Sequence, residues 1–361
     1  MMDLEKKQPK YIAIYKILVD LIHNSPSGSN QYLPSERDLS QQFKVDRLTV
    51  RKALDLLAKD GLIQKQAGKS TLIIHPIEKI EKRELSKLIA FVLPRGTNSL
   101  DRITEPFNSK LLYLIENELK LQEYHILYAT VTEDGSLPLS VSNCNACGII
   151  FVSQVPEKAI QEAVRTKLPT VVVNRLSNDF PMILQDRYQG FHELLEYLFA
   201  IGHRKIVFIN GEKGYYSADK CEIAFNEFTA FHAHDRIKTM MISGSWDYGS
   251  GKKAMKKILL EKTFIPTVVC GCNDMVALGA MEVAKEQGFK LPKEMSFVGF
   301  DDTQQCEQST PRLSTISVNI PLTARFIVEA LFSSIALGNP GPIQTIIPTE
   351  FVSRESIIAQ N

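Results

Sequence analysis

Residues 33–71, LPSERDLSQQFKVDRLTVRKALDLLAKDGLIQKQAGKST, spell two short helices followed by a hairpin. Ser35 stands ahead of Glu36, Arg37 and Asp38, an N-cap followed by first-turn acids that complement the positive helix end. Leu39 and Phe43, four apart, share one helix face. Asp46 caps a second helix, with Thr49 three positions on. Val50, Leu54 and Leu57 fall at i, i+4 and i+7, the period of one buried stripe. Gly61 stops that helix. Leu62-Ile63 and Leu72-Ile73-Ile74 then flank a polar segment, 64–70, that suits a small β wing.

Basic residues leave the apolar stripe of the second helix. Arg47, Arg51 and Lys52 lie in its first two turns, where a recognition helix meets base edges and phosphates. Arginine pairs bidentately with a guanine edge, whereas lysine acts as a point charge on phosphate. A solvated charged face is the plain alternative for any one of them. The helix-turn-helix spacing combined with a basic wing favours DNA.

The run PSERDLSQQFKVDRLTVRKALDLLAKDGLI closely resembles the winged helix-turn-helix of the GntR family. The resemblance implies double-stranded DNA as partner. Ser35, Glu36, Arg37, Arg47, Thr49, Arg51 and Lys52 belong to the reading surface it implies. Gly68 and Lys69 would bring the wing to the minor groove. Asp46 replaces the usual serine before Arg47, and Ser70 replaces a wing glycine.

The chain has 361 residues, enough for two or three folding units. Its 44% hydrophobic and 23% charged content is ordinary for a globular protein. The net charge of +1 is unevenly spread: residues 1–87 carry five more basic than acidic side chains, and the remainder four more acidic than basic. That split fits a DNA reader joined to a different module. The polar start MMDLEKKQPKY lacks a signal-peptide core, and no run approaches the roughly 20 apolar residues of a membrane span. A cytoplasmic protein without a membrane partner is expected. The six cysteines then stay reduced. Cys144-x-x-Cys147 and Cys270-x-Cys272 lack zinc spacing, so neither metal nor cofactor is expected.

Residues 10–23, KYIAIYKILVDLIH, form a helix whose Ile14, Ile17, Leu18, Leu21 and Ile22 share one face. It completes a three-helix head over 1–76. The mixed-charge stretch 77–87 is a linker. From Leu88 the pattern changes to continuous apolar runs: LIAFVL (88–93), GIIFVS (148–153), TVVVN (170–174), KIVFI (205–209), TVVCG (267–271) and SFVGF (296–300). Such runs are strands buried on both faces of a parallel sheet. Helical stretches separate them, so residues 88–361 should be α/β, doubly wound and divided into two lobes.

Ligands of such folds bind beyond the carboxyl ends of the strands. The turns there read Pro94-Arg95-Gly96, Asn174-Arg175, Asp186-Arg187, Asn210-Gly211, Trp246-Asp247, Asn273-Asp274 and Asp301-Asp302. Carboxylates and amides bond hydroxyl pairs, and an aromatic face covers the C–H side of a sugar ring. A cap or turn role is the plain reading for each residue alone; Asn273 or Asp274, opening a helix, caps any such fold.

GHRKIVFING (202–211), NDMVALGAMEVAKEQGFKLPKEMSFVGFDDT (273–303), PRLSTI (311–316) and SRES (353–356) closely resemble the sensor of the LacI family, related to periplasmic sugar-binding proteins. A GntR-type reader on this sensor resembles the arabinose-regulator subgroup of GntR proteins. The resemblance implies Asp274 as ligand carboxylate, Trp246 as stacking ring, Asp186 in the D-N-x-x-G segment, and Arg95 and Phe107 at the cleft border. Arg187 replaces that segment's asparagine. The family's ligand-binding arginine falls at Cys221, with Lys220 beside it as a substitute. The function implied is a homodimeric repressor on a pseudo-palindromic operator, released by a small sugar. A non-sugar ligand, or one that promotes DNA binding, stays open. An enzyme is disfavoured: GxGxxG after the first strand, GxxxxGK[ST], GxSxG and HExxH are all missing.

Overall fold

A computed structural model describes residues 10–23, 32–59, 62–64, 71–73, 87–96, 101–143, 146–261 and 263–360. The chain divides into two compact units. One runs to Lys87 and takes in 139–147; the other comprises 88–138 and 148–361. The segment 139–147, expected within the sensor, thus groups with the first unit. The linker expected at 77–87 lies, apart from Lys87, outside the described residues.

In the first unit, α1 (Lys10–His23), α2 (Glu36–Phe43) and α3 (Arg47–Lys59) pack around Ile14, Leu18, Ile22, Leu33, Leu39, Val50, Leu54 and Leu57. Ser35 caps α2 by accepting from the Asp38 amide at 3.2 Å. Asp46 caps α3, accepting from the Thr49 amide and hydroxyl at 2.8 Å each. These bonds hold the Asp46 carboxyl below its usual range. Lys44 makes the turn in the left-handed region, φ 50°. A short antiparallel pair follows, β1 (Ile63–Gln64) with β2 (Leu72–Ile73). The α1 stripe is narrower than its sequence reads. Ile17 and Leu21 are 49% and 43% exposed, because the i, i+4, i+8 ridge of Ile14, Leu18 and Ile22, flanked by Tyr11, Tyr15 and Val19, is the side that meets the core.

The second unit holds two six-stranded sheets. The first runs in the order β13-β7-β6-β5-β3-β4 and is wholly parallel. Its strands are β3 (Leu88–Leu93), β4 (His125–Thr130), β5 (Gly148–Val152), β6 (Thr170–Val173), β7 (Met182–Gln185) and β13 (Gln344–Ile347). The second runs β14-β12-β11-β10-β8-β9, parallel except for β14. Its strands are β8 (Lys205–Asn210), β9 (Lys238–Ser243), β10 (Val268–Gly271), β11 (Ser296–Asp301), β12 (Ser314–Ser317) and β14 (Glu350–Val352). Phe91, Phe151, Phe208, Phe297 and Phe300 are buried within the strands, as continuous apolar runs require. The chain changes sheets after β7, after β12 and after β13, which ties two lobes together through three crossings.

One helix is apolar overall although Arg325 and Glu329 interrupt it. Helix Ile320–Leu337 is long and apolar enough to cross a membrane by length and composition. Here it covers the first sheet. Ala324, Ile327, Val328 and Leu331 are buried, the helix packs on β5, β6 and helix Pro106–Lys120, and Arg325 pairs with Glu329 at 2.8 Å on its outer side.

Candidate functional site

The basic residues expected to read DNA lie on the exposed side of α3. Arg47, Arg51 and Lys52 are exposed, as is Arg37 on α2, while Val50, Ala53, Leu54 and Leu57 face the core. Arg51 does not swing freely. Its Nε and Nη2 donate to the two Glu36 carboxylate oxygens at 3.2 and 2.9 Å. Ser35 and Thr49 are committed to the capping bonds described above. Gly68 and Lys69 lie outside the described residues.

In the sensor unit, a cavity of about 50 Å³ sits where strand ends of both sheets converge. The first sheet supplies Arg102, Glu105, Phe107 and Asn108 after β3, Ser153 after β5 and Asn174 after β6. The second supplies Ser217 after β8, Trp246 after β9, Asn273 to Met275 after β10, Asp301 at the end of β11 and Thr303 after it. Larger openings of about 170 and 550 Å³ share Arg102, Glu105 and Trp246, or Asp301 and Thr303, with it. Ser153, Asn174 and Asp301 have φ of 66°, 52° and 108°. Non-glycine residues in that region cost about 1–3 kcal/mol each and gather at functional sites.

Two guanidiniums are built into this cavity. Arg102 opens a short 3-10 turn, Arg102–Thr104, capped by Asp101. It donates to Tyr215 Oη at 3.2 Å and to Glu105 Oε2 at 3.3 Å. Burial raises the Glu105 carboxyl, and Arg102 beside it works against that rise. Arg187 is 4% exposed and lies 4.0 Å from the centre of the Phe300 ring. It donates to Gln185 Oε1, to Cys272 O at 3.1 Å and to Asp301 Oδ1 at 2.6 Å. Burial pushes the Asp301 carboxyl up, and Arg187 opposes it. Burial likewise raises the thiols of Cys221, Cys270 and Cys272, so they stay protonated packing groups.

Of the residues expected from the sequence, Phe107, Trp246 and Asp274 line the cavity. Trp246 is 7% exposed, with its ring 5.6 Å from Tyr215, so it is more enclosed than a plate in an open cleft. Asp274 is 1% exposed and already satisfied. It accepts from the Thr303 amide at 2.7 Å, the Thr303 hydroxyl at 2.9 Å and the Thr315 hydroxyl at 2.5 Å. Its neighbour Asn273 is the cap, accepting from the Val276 amide at 2.9 Å and donating to Trp246 O at 2.8 Å. Asp274 therefore braces the β10–β11–β12 strand ends and has little left to offer a ligand.

Arg95, Asp186 and Lys220 are not brought to the cavity. Arg95 turns outward and pairs with Glu133 at 3.0 Å. Asp186 caps helix Arg187–Ala200 by accepting from the Gln189 amide at 3.2 Å. One helical step further on, Arg187 is the residue that points inward. The same step separates Lys220, which lies over the Tyr216 ring, from the buried Cys221. Arg102, Glu105, Arg187 and Asp301 were not singled out as site residues. The substituted asparagine at 187 and the Asp301-Asp302 turn were the available signals.

Residues 10–73 match the family model of bacterial regulatory proteins, gntR family, and residues 195–357 match that of a periplasmic binding protein-like domain. Over 242 residues the chain is 30% identical to a probable HTH-type transcriptional repressor ExuR of Bacillus subtilis (strain 168), covering 66% of this chain and 72% of that protein. It is 24% identical over 337 residues to an arabinose metabolism transcriptional repressor of Geobacillus stearothermophilus, covering 86% and 87%. A LacI family transcriptional regulator from Enterococcus faecium, crystallised with bound ribose, superimposes with a TM-score of 0.66 at 21% identity, covering 76% of this chain and 100% of that one.

Proposed function

We propose, because this chain belongs to the GntR family of bacterial regulatory proteins and carries a periplasmic binding protein-like sensor, that it is a DNA-binding repressor released from its operator by a small sugar. It works in the cytoplasm, where its operator is, as a homodimer with one winged head per half-site. The arginines of α3 and Arg37 read and hold the DNA. The observation that carries the sugar reading is the cavity between strand ends. It sets one tryptophan among two arginine–carboxylate pairs and three amides, Asn108, Asn174 and Asn273. Such groups bond hydroxyls from both sides while the ring covers C–H surface. Relatives named as an arabinose repressor and as a ribose-bound regulator favour the same ligand class.

Ligand acts through linkage: it binds the DNA-free state more tightly than the DNA-bound one, so each weakens the other's binding by the same factor. The test is titration of the full chain, bound to a labelled fragment from upstream of its own gene, with aldopentoses, aldohexoses, ketoses and uronic acids. Release by one of them at a saturable concentration is expected. If none binds the free protein and none changes the fraction bound, the sugar reading fails.

A further inference from the structure

Arg187 is an expensive residue where it stands. It is the first residue of helix Arg187–Ala200, so its charge meets the positive end of the helix dipole. Its guanidinium is also buried, and an ion pair with Asp301 rarely recovers more than the cost of removing both charges from water. Packing alone favours an apolar or small polar side chain there, so the guanidinium calls for another reason.

The hydrogen bonds supply one. Nε and one Nη2 N–H donate to Gln185 Oε1 at 3.2 and 3.0 Å, the other Nη2 N–H to Asp301 Oδ1, and one Nη1 N–H to Cys272 O. A guanidinium has five N–H groups. Among the described residues the fifth, on Nη1, meets no acceptor, and Asp301 Oδ2 meets no donor. Both residues line the cavity. A third group there, the Trp246 indole N–H, is buried and unpartnered. The 2.6 Å bond from Nη2 to Oδ1 fixes the two planar groups that carry this free donor and free acceptor, and such a pair matches a hydroxyl that gives and receives one bond each, or two adjacent hydroxyls.

We propose that Arg187 is a specificity-determining effector contact, which with Asp301 reads adjacent hydroxyls on the ligand. The inference rests on the sugar reading above and deepens it. Cys221 takes no part in this contact: its thiol donates to the Arg187 carbonyl at 3.8 Å and it brings no charge. The network also reaches both lobes, through Gln185 and Asn174 on one side and Cys272 and Asp301 on the other. A hydroxyl bound at Arg187 is therefore held at the crossing between them.

The test is calorimetric titration of the full chain, wild type, Arg187→Asn and Arg187→Lys, with D-ribose, L-arabinose, D-xylose and D-glucose. Each sugar is paired with its monodeoxy analogues. Wild type is expected to bind at least one parent sugar and to lose about tenfold or more in affinity when one particular hydroxyl is removed. Both variants are expected to bind the parent sugar as weakly as that deoxy analogue and to stop distinguishing the two. A merely structural arginine would weaken every ligand alike and leave the deoxy discrimination intact, which overturns the proposal. Should Arg187→Asn fail to fold, Arg187→Lys and the wild-type deoxy series decide; a series flat at every position overturns it as well. If wild type binds none of these sugars or their analogues, the sugar reading falls and this inference with it. Failure confined to the variants removes the inference alone.

Discussion

Arg51 on α3 and Glu36 on α2 form a forked ion pair across the helix-turn-helix, with Nη2 to Oε2 at 2.9 Å and Nε to Oε1 at 3.2 Å. Their side chains are 58% and 32% exposed, so the pair contributes little to stability. Its expected consequence is orientation: if Arg51 reads DNA as proposed, the fork holds it in place before DNA arrives and lowers the entropy lost on binding. Glu36→Ala should weaken operator binding and blunt discrimination between operator and non-operator DNA, while shifting Tm by only about 2 °C or less. Arg51→Ala should lose on the order of tenfold or more in operator affinity. Fluorescence anisotropy on matched DNA fragments measures both. Unchanged discrimination in Glu36→Ala would show that the fork does not orient Arg51 for reading.

Gly211 sets the position of the Trp246 indole. A Cβ on residue 211 would come within 2.4 Å of Cη2 and Cζ2 of that ring. Gly211→Ala must therefore displace a nearly buried tryptophan from the cavity wall. We expect a stability loss of about 1–3 kcal/mol, the usual range for overpacking. Effector-induced release from DNA should weaken more than operator binding does. Trp246→Phe removes the ring atoms that clash, so most of the alanine's cost should vanish in that background. Denaturant unfolding of the four proteins in the cycle checks this, and additive costs would contradict it.

Asp274 looks like a ligand carboxylate in sequence and like a brace in the structure. Its three donors come from Thr303 and Thr315, and burial raises its carboxyl despite them. Asp274→Ala leaves those donors without an acceptor in a buried place. A loss of at least about 2–3 kcal/mol follows if only part of that desolvation is relieved by relaxation. Thr315→Val should destabilise in the same direction by less. Thermal unfolding without ligand is the decisive measurement; a wild-type Tm for Asp274→Ala would return this residue to the list of effector contacts.

The lobes were legible because a strand buried on both faces must be apolar at every position, as in 88–93 or 268–271, and few other structures demand that. The winged head was legible through its caps: Ser35 and Asp46 have few other reasons to stand ahead of amphipathic runs. Strand β13 escaped notice because it is a short edge, with Gln344 and Ile346 exposed, and β7 because only four residues follow Pro181. Within the cavity, sequence located the right turns but not always the right residue. Asp186 caps its helix while Arg187, the next residue, lines the cavity, a difference of one helical step of about 100°. No local pattern says which of the two faces inward. That is set by the packing of helices Arg187–Ala200 and Tyr216–Phe231 on one another.

A last prediction concerns pH. His203 is fully buried between strands, with Nδ1 2.9 Å from Thr267 Oγ1. Burial depresses its pKa from 6.5 to about 4, and Arg204 beside it acts in the same direction. The folded protein therefore holds this imidazole neutral at a pH where the unfolded chain has already protonated it. Between pH 6.5 and 4 the unfolded state binds more protons at this site, so stability rises with pH there. His203 contributes no penalty above pH 6.5, and the protein loses stability as pH falls through that window, by about 2–4 kcal/mol in full. Asp274 and Asp301, whose carboxyls are raised by burial, push the other way over acid pH. The wild-type profile alone is thus a sum of opposed slopes. His203→Gln keeps a polar partner for Thr267 and removes the titration. Urea unfolding of both proteins from pH 7.5 to 4.5 should give a difference that grows by up to one proton's slope as pH drops, with the variant the less acid-sensitive. Parallel profiles would mean that His203 is protonated equally in both states and that its burial carries no acid sensitivity.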